Sequence, residues 1–484
     1  MSSYTSASIF FDYFQPSECS KRIWLRLHHP ELCDPDTSFQ DMLRQRGRHL
    51  EARHLGTLID PEQPLYKPGD YLNGLNKTLA LINNQAPIIY QGVLLDQSNN
   101  YLAIPDLLIF DPIKQTYKLR DIKMAVDLEN HDEIKFQMGF YVSVAKSILG
   151  YSPEVEIVKG NNEVVSYSPA LDYEVEALIR EIRRIEELLD EPTEDVGKSK
   201  CGPCGFKGYC WDKALADKDI SILPYVDKKV AAKLRVAGVN TCDQLLSCSE
   251  ALLTGNKISL GTAAKIKRQA EALLKKQVIK VGIPNLPSSY LPKTRPVIMF
   301  DIENDVFDID LGVKVYLWGC LLAQNGQDPK VDLIVADPGV TGDKKGWFDF
   351  LDYAEKQFYE FGDIPFVHYS HHEKTWVNKY IERYGDPNGI AARVLRNLWD
   401  LHPQIKNNFF LPTYSYGLKD VEGLANFSRS QDDYGGLWSI VMYDRYLNAS
   451  DPVQAQALLD EILVYNTEDI QASLAVYEWI EGHC

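Results

Sequence analysis

Asp121-Ile122-Lys123 sets a carboxylate and an amine two residues apart, and in a β-strand such positions point to the same face while Ile122 turns to the core. Pro105-Asp106, read as part of the preceding strand, supplies a second carboxylate. Two carboxylates on adjacent strands can hold Mg or Mn through hard oxygen ligands. The lysine can position or activate an attacking water and stabilise charge on a phosphate. Gln137 and Tyr141 follow at i and i+4 and share one helix face. A second acidic pair, Asp301-Ile302-Glu303, comes after the apolar run VIMF, again with both carboxylates on one face. Near the end, Tyr465 and Asp469 stand one helical turn apart.

The third group is made of thiols. Cys201-Gly-Pro-Cys204-Gly-Phe-Lys-Gly-Tyr-Cys210 places three cysteines in a Gly-rich loop able to wrap a metal centre. Zinc and an iron-sulfur cluster both accept four thiolates, so spacing alone does not choose between them. Cys33, Cys242, Cys248, Cys320 and Cys484 are scattered and read as ordinary residues.

The elements that must position these groups form three blocks. Up to about residue 212, YLAIPDLLIFD and YKLRDIKMAV read as strands, EIKFQMGFYVSVAKSIL as a helix and YEVEALIREIRRIEELLDE as a charged amphipathic helix. Residues 213–281 read as a small helical block with 13 Lys and Arg against 6 Asp and Glu, a balance of +7 that leaves −24 for the rest. Residues 282–289 open a proline-rich, semi-extended linker. Residues 290–484 begin with the strand PVIMFDIEND and close with the helix LDEILVYNTEDIQASLAVYEWI, so both ends are α/β.

At 484 residues, 45% hydrophobic, 11% aromatic and 25% charged, the chain is well able to bury cores. A net charge of −17 argues against a protein that coats nucleic acid nonspecifically, since phosphate binding relies on Lys and Arg releasing counterions. The start, MSSYTSASIFFDYF, lacks the pattern of a secretory signal, and no apolar run reaches membrane-spanning length, so a cytoplasmic protein without a membrane partner is expected. In that reducing setting nine cysteines point to metal rather than disulfides. The chain has no Gly-x-x-x-x-Gly-Lys-Ser/Thr loop, so ATP-driven motion would have to come from elsewhere.

The ordered set Pro105-Asp106, Asp121-x-Lys123 and Gln137-x-x-x-Tyr141 resembles the RecB-like branch of the PD-(D/E)xK nucleases over most of residues 1–212. The resemblance implies a restriction-endonuclease-like α/β fold, metal ligands at Asp106 and Asp121, and catalytic roles for Lys123, Gln137 and Tyr141. It also implies a metal-binding His or Glu from an upstream helix. RQRGRHLEARHLG offers His49, Glu51 and His54, and family spacing after Gly47 favours Glu51, with His49 as the alternative. Relatives of this branch hold a [4Fe-4S] cluster with one early and three late cysteines, which implies Cys19 with Cys201, Cys204 and Cys210 and tips the choice from zinc to iron-sulfur.

LPYVDKKVAAKLRVAGVNTCDQLL and GNKISLGTAAKIKRQAEALL resemble a pair of helix-hairpin-helix units, which grip phosphates through hairpin amides. The first departs from the pattern, with Tyr225 and Asp227 where the family carries glycines; the second keeps Gly261, and a helical spacer is the alternative. Residues 290–484 resemble the RNase H-like DEDD exonucleases of the tyrosine subclass. That implies Asp301, Glu303, Glu373 and Asp469 as metal ligands and Tyr465 as the group orienting the nucleophilic water. Glu373 stands where an Asp is usual, and Asp400 is another candidate; His368 and Lys419 are candidate substrate contacts.

Together the resemblances imply a metal-dependent exonuclease acting on DNA, favouring single strands, in repair, recombination or foreign-DNA degradation, with a helicase or recombination partner. The alternatives are a nucleic-acid-binding scaffold with silent sites and a redox-sensing metalloprotein.

Overall fold

The computed structural model describes residues 4–290, 296–308, 312–324, 326–430 and 437–483. Cys484 and residues 291–295 of the proline-rich stretch lie outside the described residues. The chain divides into two compact units, Met1–Lys213 and Ala214–Cys484.

The first unit is built on a five-stranded mixed sheet, in the order Ile88–Tyr90, Leu107–Asp111, Thr116–Ile122, Val155–Val158, Val164–Ser166. Thr116–Ile122 runs antiparallel to Leu107–Asp111 and parallel to Val155–Val158. Its alternation buries Tyr117, Leu119 and Asp121, so Asp121 lies on the core-facing side and Ile122 is the half-buried residue, the reverse of the orientation expected for Ile122. The expected single strand YLAIPDLLIFD is two, Tyr101–Ala103 and Leu107–Asp111, and Asp106 sits in the bend that opens the second. Pro105 explains the break, since it cannot donate to a ladder. Helix Asp132–Leu149 packs Met138, Phe140, Val144 and Ala145 into the same core as Leu119 and Ile157 and ends at Gly150, whose φ of 79° is the left-handed closure that favours glycine. Helix Ser38–Leu55 starts from a Thr37/Gln40 capping box.

The second unit carries a five-stranded sheet ordered Lys330–Val335, Gly312–Ala323, Val297–Asp308, Phe366–His368, Leu398–Asp400. The first three are antiparallel and the last two join in parallel. Along the central strand the even positions Ile298, Phe300 and Ile302 pack with Trp347 and Phe350 of helix Gly339–Phe361. The odd positions Val297 and Met299 pack with Ile470, Val476 and Ile480 of helix Pro452–Gly482. Period two therefore sends the next odd residues, Asp301 and Glu303, toward that same long helix.

Helices Lys228–Val236, Cys242–Ser247, Glu250–Gly255 and Leu260–Lys275 belong to this second unit, whereas the sequence suggested a block of their own. Gln269 is fully buried, donates to Leu411 O at 2.8 Å and accepts from the Tyr416 hydroxyl at 2.7 Å. Ile279–Lys280 pairs antiparallel with Phe409–Phe410. The expected linker 282–289 is packed too: Leu286 is buried in the core with Met299 and Leu321, and Pro287–Ser289 forms a 3-10 turn. An apolar residue with a core to enter gains more than a solvated linker offers.

Tyr225 adopts φ 70°, the left-handed backbone that the expected hairpin would give to glycine. That conformation costs on the order of 1 kcal/mol, and a hydroxyl bond to Lys406 O at 2.8 Å with ring contacts to Phe410 and Tyr416 offsets it. Asp227 accepts from Val230 N–H at 2.8 Å and so caps the helix end where a phosphate would dock. No helix among the described residues is long and apolar enough to cross a membrane.

Candidate functional site

In the second unit Asp301 and Glu303 from the central strand meet Asp469 from the long helix, with one carboxylate oxygen of each within 4.8 Å of the others. A register shift follows between Glu303 and Asn304, and such irregularities re-aim side chains at strand ends. Burial, then repulsion from Asp469, Glu303 and Glu373, pushes the Asp301 carboxyl well above its usual range. Burial and the Asp469 charge push Glu303 up to about 8, against a hydrogen bond from Ser439. Burial raises Asp469 as well, opposed by Arg429.

Each carboxylate has a dedicated support. Asn466 Nδ2 donates to Asp301 Oδ2 at 2.7 Å, and Ser439 Oγ donates to Glu303 Oε2 at 2.7 Å. Tyr465, one turn before Asp469, hydrogen-bonds it and lies 5.4 Å from the Trp438 ring. Lys419 Nζ sits 4.8 Å from the Tyr465 ring centroid, and burial lowers its pKa. Gly319, paired with Asp301 across the ladder, leaves the space for Asn466: a Cβ there would lie 1.8 Å from Asn466 Oδ1. The donor set fits Mg or Mn, because oxygens around one Mg lie roughly 3–4 Å apart and a divalent ion relieves the repulsion that raises all three groups.

Glu373 does not join that trio. Its Oε2 lies 2.9 Å from Nδ1 of His368, and both residues are 2% exposed. It is near enough to Asp301 to add repulsion. The extra methylene relative to Asp lets the carboxylate reach back to His368, which also occupies the histidine proposed for substrate contact. Asp400 caps helix Leu401–Asn408 and accepts from the Ser370 and His402 amides at 2.9 Å, the role of a capping residue.

Arg429, Asn466 and Ser439 were not singled out from the sequence. Asn466 had a signal, its place between Tyr465 and Asp469. Arg429 and Ser439 had none, since each reaches the site from a distant segment. Arg429 Nη2 lies 2.6 Å from Asp469 Oδ1, while Nε and Nη2 donate to Glu422 at 2.7 Å each.

In the first unit a pocket of about 240 Å³ is lined by Glu51, Asp106, Asp121, Lys123, Gln137 and Tyr141, among others. Lys123, just past the strand end, lies 2.5 Å from Asp121 Oδ2 and donates to Gln137 Oε1 at 2.9 Å; Gln137 Nε2 donates to the Tyr141 hydroxyl at 3.0 Å. Asp106 Oδ2 accepts from Ile122 N–H at 2.7 Å, and burial followed by the Asp121 charge raises its carboxyl. Burial holds the Tyr141 hydroxyl protonated. Glu51 accepts from the Tyr90 hydroxyl at 2.8 Å, whereas His49 is exposed and His54 is buried outside the pocket lining. Among the described residues these carboxylates do not gather three ligand atoms as closely as the second site does.

Cys19 stands at the start of helix Ser20–His28, Cys201 ends helix Lys198–Cys201, and Cys210 lies in helix Lys207–Ala216, with Cys204 in the turn between the latter two. Burial pushes the Cys210 thiol up to about 12, with Cys19, Cys204 and Cys201 all near enough to add to it. Lys21 beside Cys210, and Lys200 and Arg22 beside Cys19 and Cys201, bring positive charge to the group. Among the described residues no three thiols come within 4.8 Å of one another.

Residues 298–481 match the family model of the RNase_H superfamily. The C-terminal region is thus RNase H-like, a nuclease-type fold whose members use divalent metal, and the acidic trio lies within it. No curated protein matches the chain.

Proposed function

We propose that the chain is a divalent-metal-dependent nuclease that hydrolyses phosphodiester bonds of DNA, acting as an exonuclease on single strands. The observation that carries this reading is the convergence of Asp301, Glu303 and Asp469 inside an RNase H-like region. When bound, Mg or Mn would stabilise the attacking and leaving oxygens of the displacement. Asp301, Glu303 and Asp469 would hold it, Asn466 and Ser439 keep two of those carboxylates in orientation, and Tyr465 offers a protonated hydroxyl to steer the water.

The first unit is read as a second, RecB-like site with a restriction-endonuclease-like fold. Glu51, Asp106 and Asp121 would bind metal there, and Lys123 would stabilise charge on the phosphate while Gln137 and Tyr141 orient it. Cys19, Cys201, Cys204 and Cys210 are read as ligands of a [4Fe-4S] cluster. Zinc would accept the same four thiolates, and the resemblance to that nuclease branch is what favours iron-sulfur. DNA repair, recombination or foreign-DNA degradation, with a helicase or recombination partner, is the expected setting. A binding scaffold with a silent second site is the competing reading, favoured by the engagement of Glu373 with His368.

The test is cleavage of end-labelled single-stranded DNA with Mn or Mg by anaerobically purified protein. Lys123→Ala and Asp301→Asn are each expected to remove one component of activity, and the double variant to fall at least roughly a hundredfold. An inactive wild type with intact fold and cluster would favour the scaffold.

A further inference from the structure

The second site holds a cation that the reading above leaves without a task. Arg429 is fixed side-on by Glu422 through Nε and Nη2, and Nη2 also reaches Asp469. Its side chain is 9% exposed, and Nη1 is buried with no hydrogen-bond partner among the described residues. A planar guanidinium held along one edge presents its other edge, Nη1 and Nη2, as a fork that matches two oxygens of a phosphate. One arm of that fork is on the Asp469 carboxylate, and the other has no acceptor among the described residues.

Resting on the nuclease reading of this site, we propose that Arg429 is a catalytic residue that binds the scissile phosphate. Asp469, paired here with the guanidinium, would also be a ligand of the divalent ion. With Asp469 on the ion, Arg429 would stay anchored on Glu422 and would offer Nη1 and Nη2 to the non-bridging phosphate oxygens, where charge grows during the displacement. Glu422 is the positioning residue, and its bidentate grip keeps the fork aimed while Asp469 changes partner. Lys419 lies beside Tyr465 and supplies charge without a fork.

The experiment is run in a Lys123→Ala background, so that only the second site reports. Removing Arg429 alone would strand the Glu422 carboxylate in the interior, so the working variant is Arg429→Met with Glu422→Gln, beside Arg429→Lys. Binding of Mn by itself is measured by calorimetry, then binding of thymidine monophosphate in saturating Mn, then cleavage of single-stranded DNA. The expected result is Mn affinity equal to the parent's or tighter, thymidine monophosphate bound at least about tenfold more weakly, and kcat lower by roughly a hundredfold. Arg429→Lys should keep Mn affinity near the parent's and recover little of the nucleotide affinity.

Nucleotide affinity and kcat within threefold of the parent in a folded double variant would overturn the proposal. So would a tenfold loss of Mn affinity with cleavage restored by excess Mn, which would make Arg429 an orienter of Asp469 only. Failure of the nuclease reading looks different: Asp301→Asn would then cleave and bind Mn as the parent does.

Discussion

Glu303 carries the clearest pH signature at the level of a single residue. Burial and Asp469 raise its folded pKa to about 8 from an ordinary value of 4.5. Between those values the folded state without metal binds a proton that the unfolded chain has released. Stability from this group is therefore complete below about 4.5 and declines as pH rises through about 8. Metal must displace that proton, so its apparent affinity should climb over the same window. In thermal melts, the stabilisation given by a fixed Mn concentration should be larger at pH 8 than at pH 6; an equal shift at both would sink this account. Asp301 and Glu303 were legible as a pair because period two puts them on one face. Arg429, Ser439 and Glu422 were not, because ion pairs across distant segments leave no local spacing to read.

Elements were read better than their ends. The helices around Gln137 and Asp469 follow from apolar periodicity, whereas the apolar run through Asp106 breaks into two strands at Pro105, and Asp121 rather than Ile122 faces the core. One strand position holds the second site together. Ala at Gly319 would put its Cβ against Asn466 Oδ1, displace that amide and release Asp301 from its hydrogen bond. Gly319→Ala is expected to cost roughly 1–3 kcal/mol, as overpacking does, and to reduce Asp301-dependent cleavage. Adding Asn466→Ala should return part of the stability, since neighbours in contact are not additive. Denaturation of the single and double variants checks it, and additive losses would exclude the clash.

Over the whole molecule the sequence suggests three blocks, and the fold has two compact units, Met1–Lys213 and Ala214–Cys484. Gln269, Leu286 and the Ile279–Lys280 pairing join residues 214–289 to the RNase H-like region through tertiary contacts that composition does not announce. Two units imply separable losses. Cys201→Ser should lower bound iron and the thermal stability of Met1–Lys213, and abolish Lys123-dependent cleavage, while Asp301-dependent cleavage persists. Iron analysis with the cleavage assay decides; loss of both activities together would contradict it.

The pairing of Ile279–Lys280 with Phe409–Phe410 also bears on inheritance. A gene fusion that cut in at residue 290 would carry off the RNase H-like region with Phe409–Phe410 stripped of its strand partner and Tyr416 without Gln269, an invitation to stick to other chains. A piece that begins at Ala214 keeps that strand pair and that hydrogen bond together with the sheet.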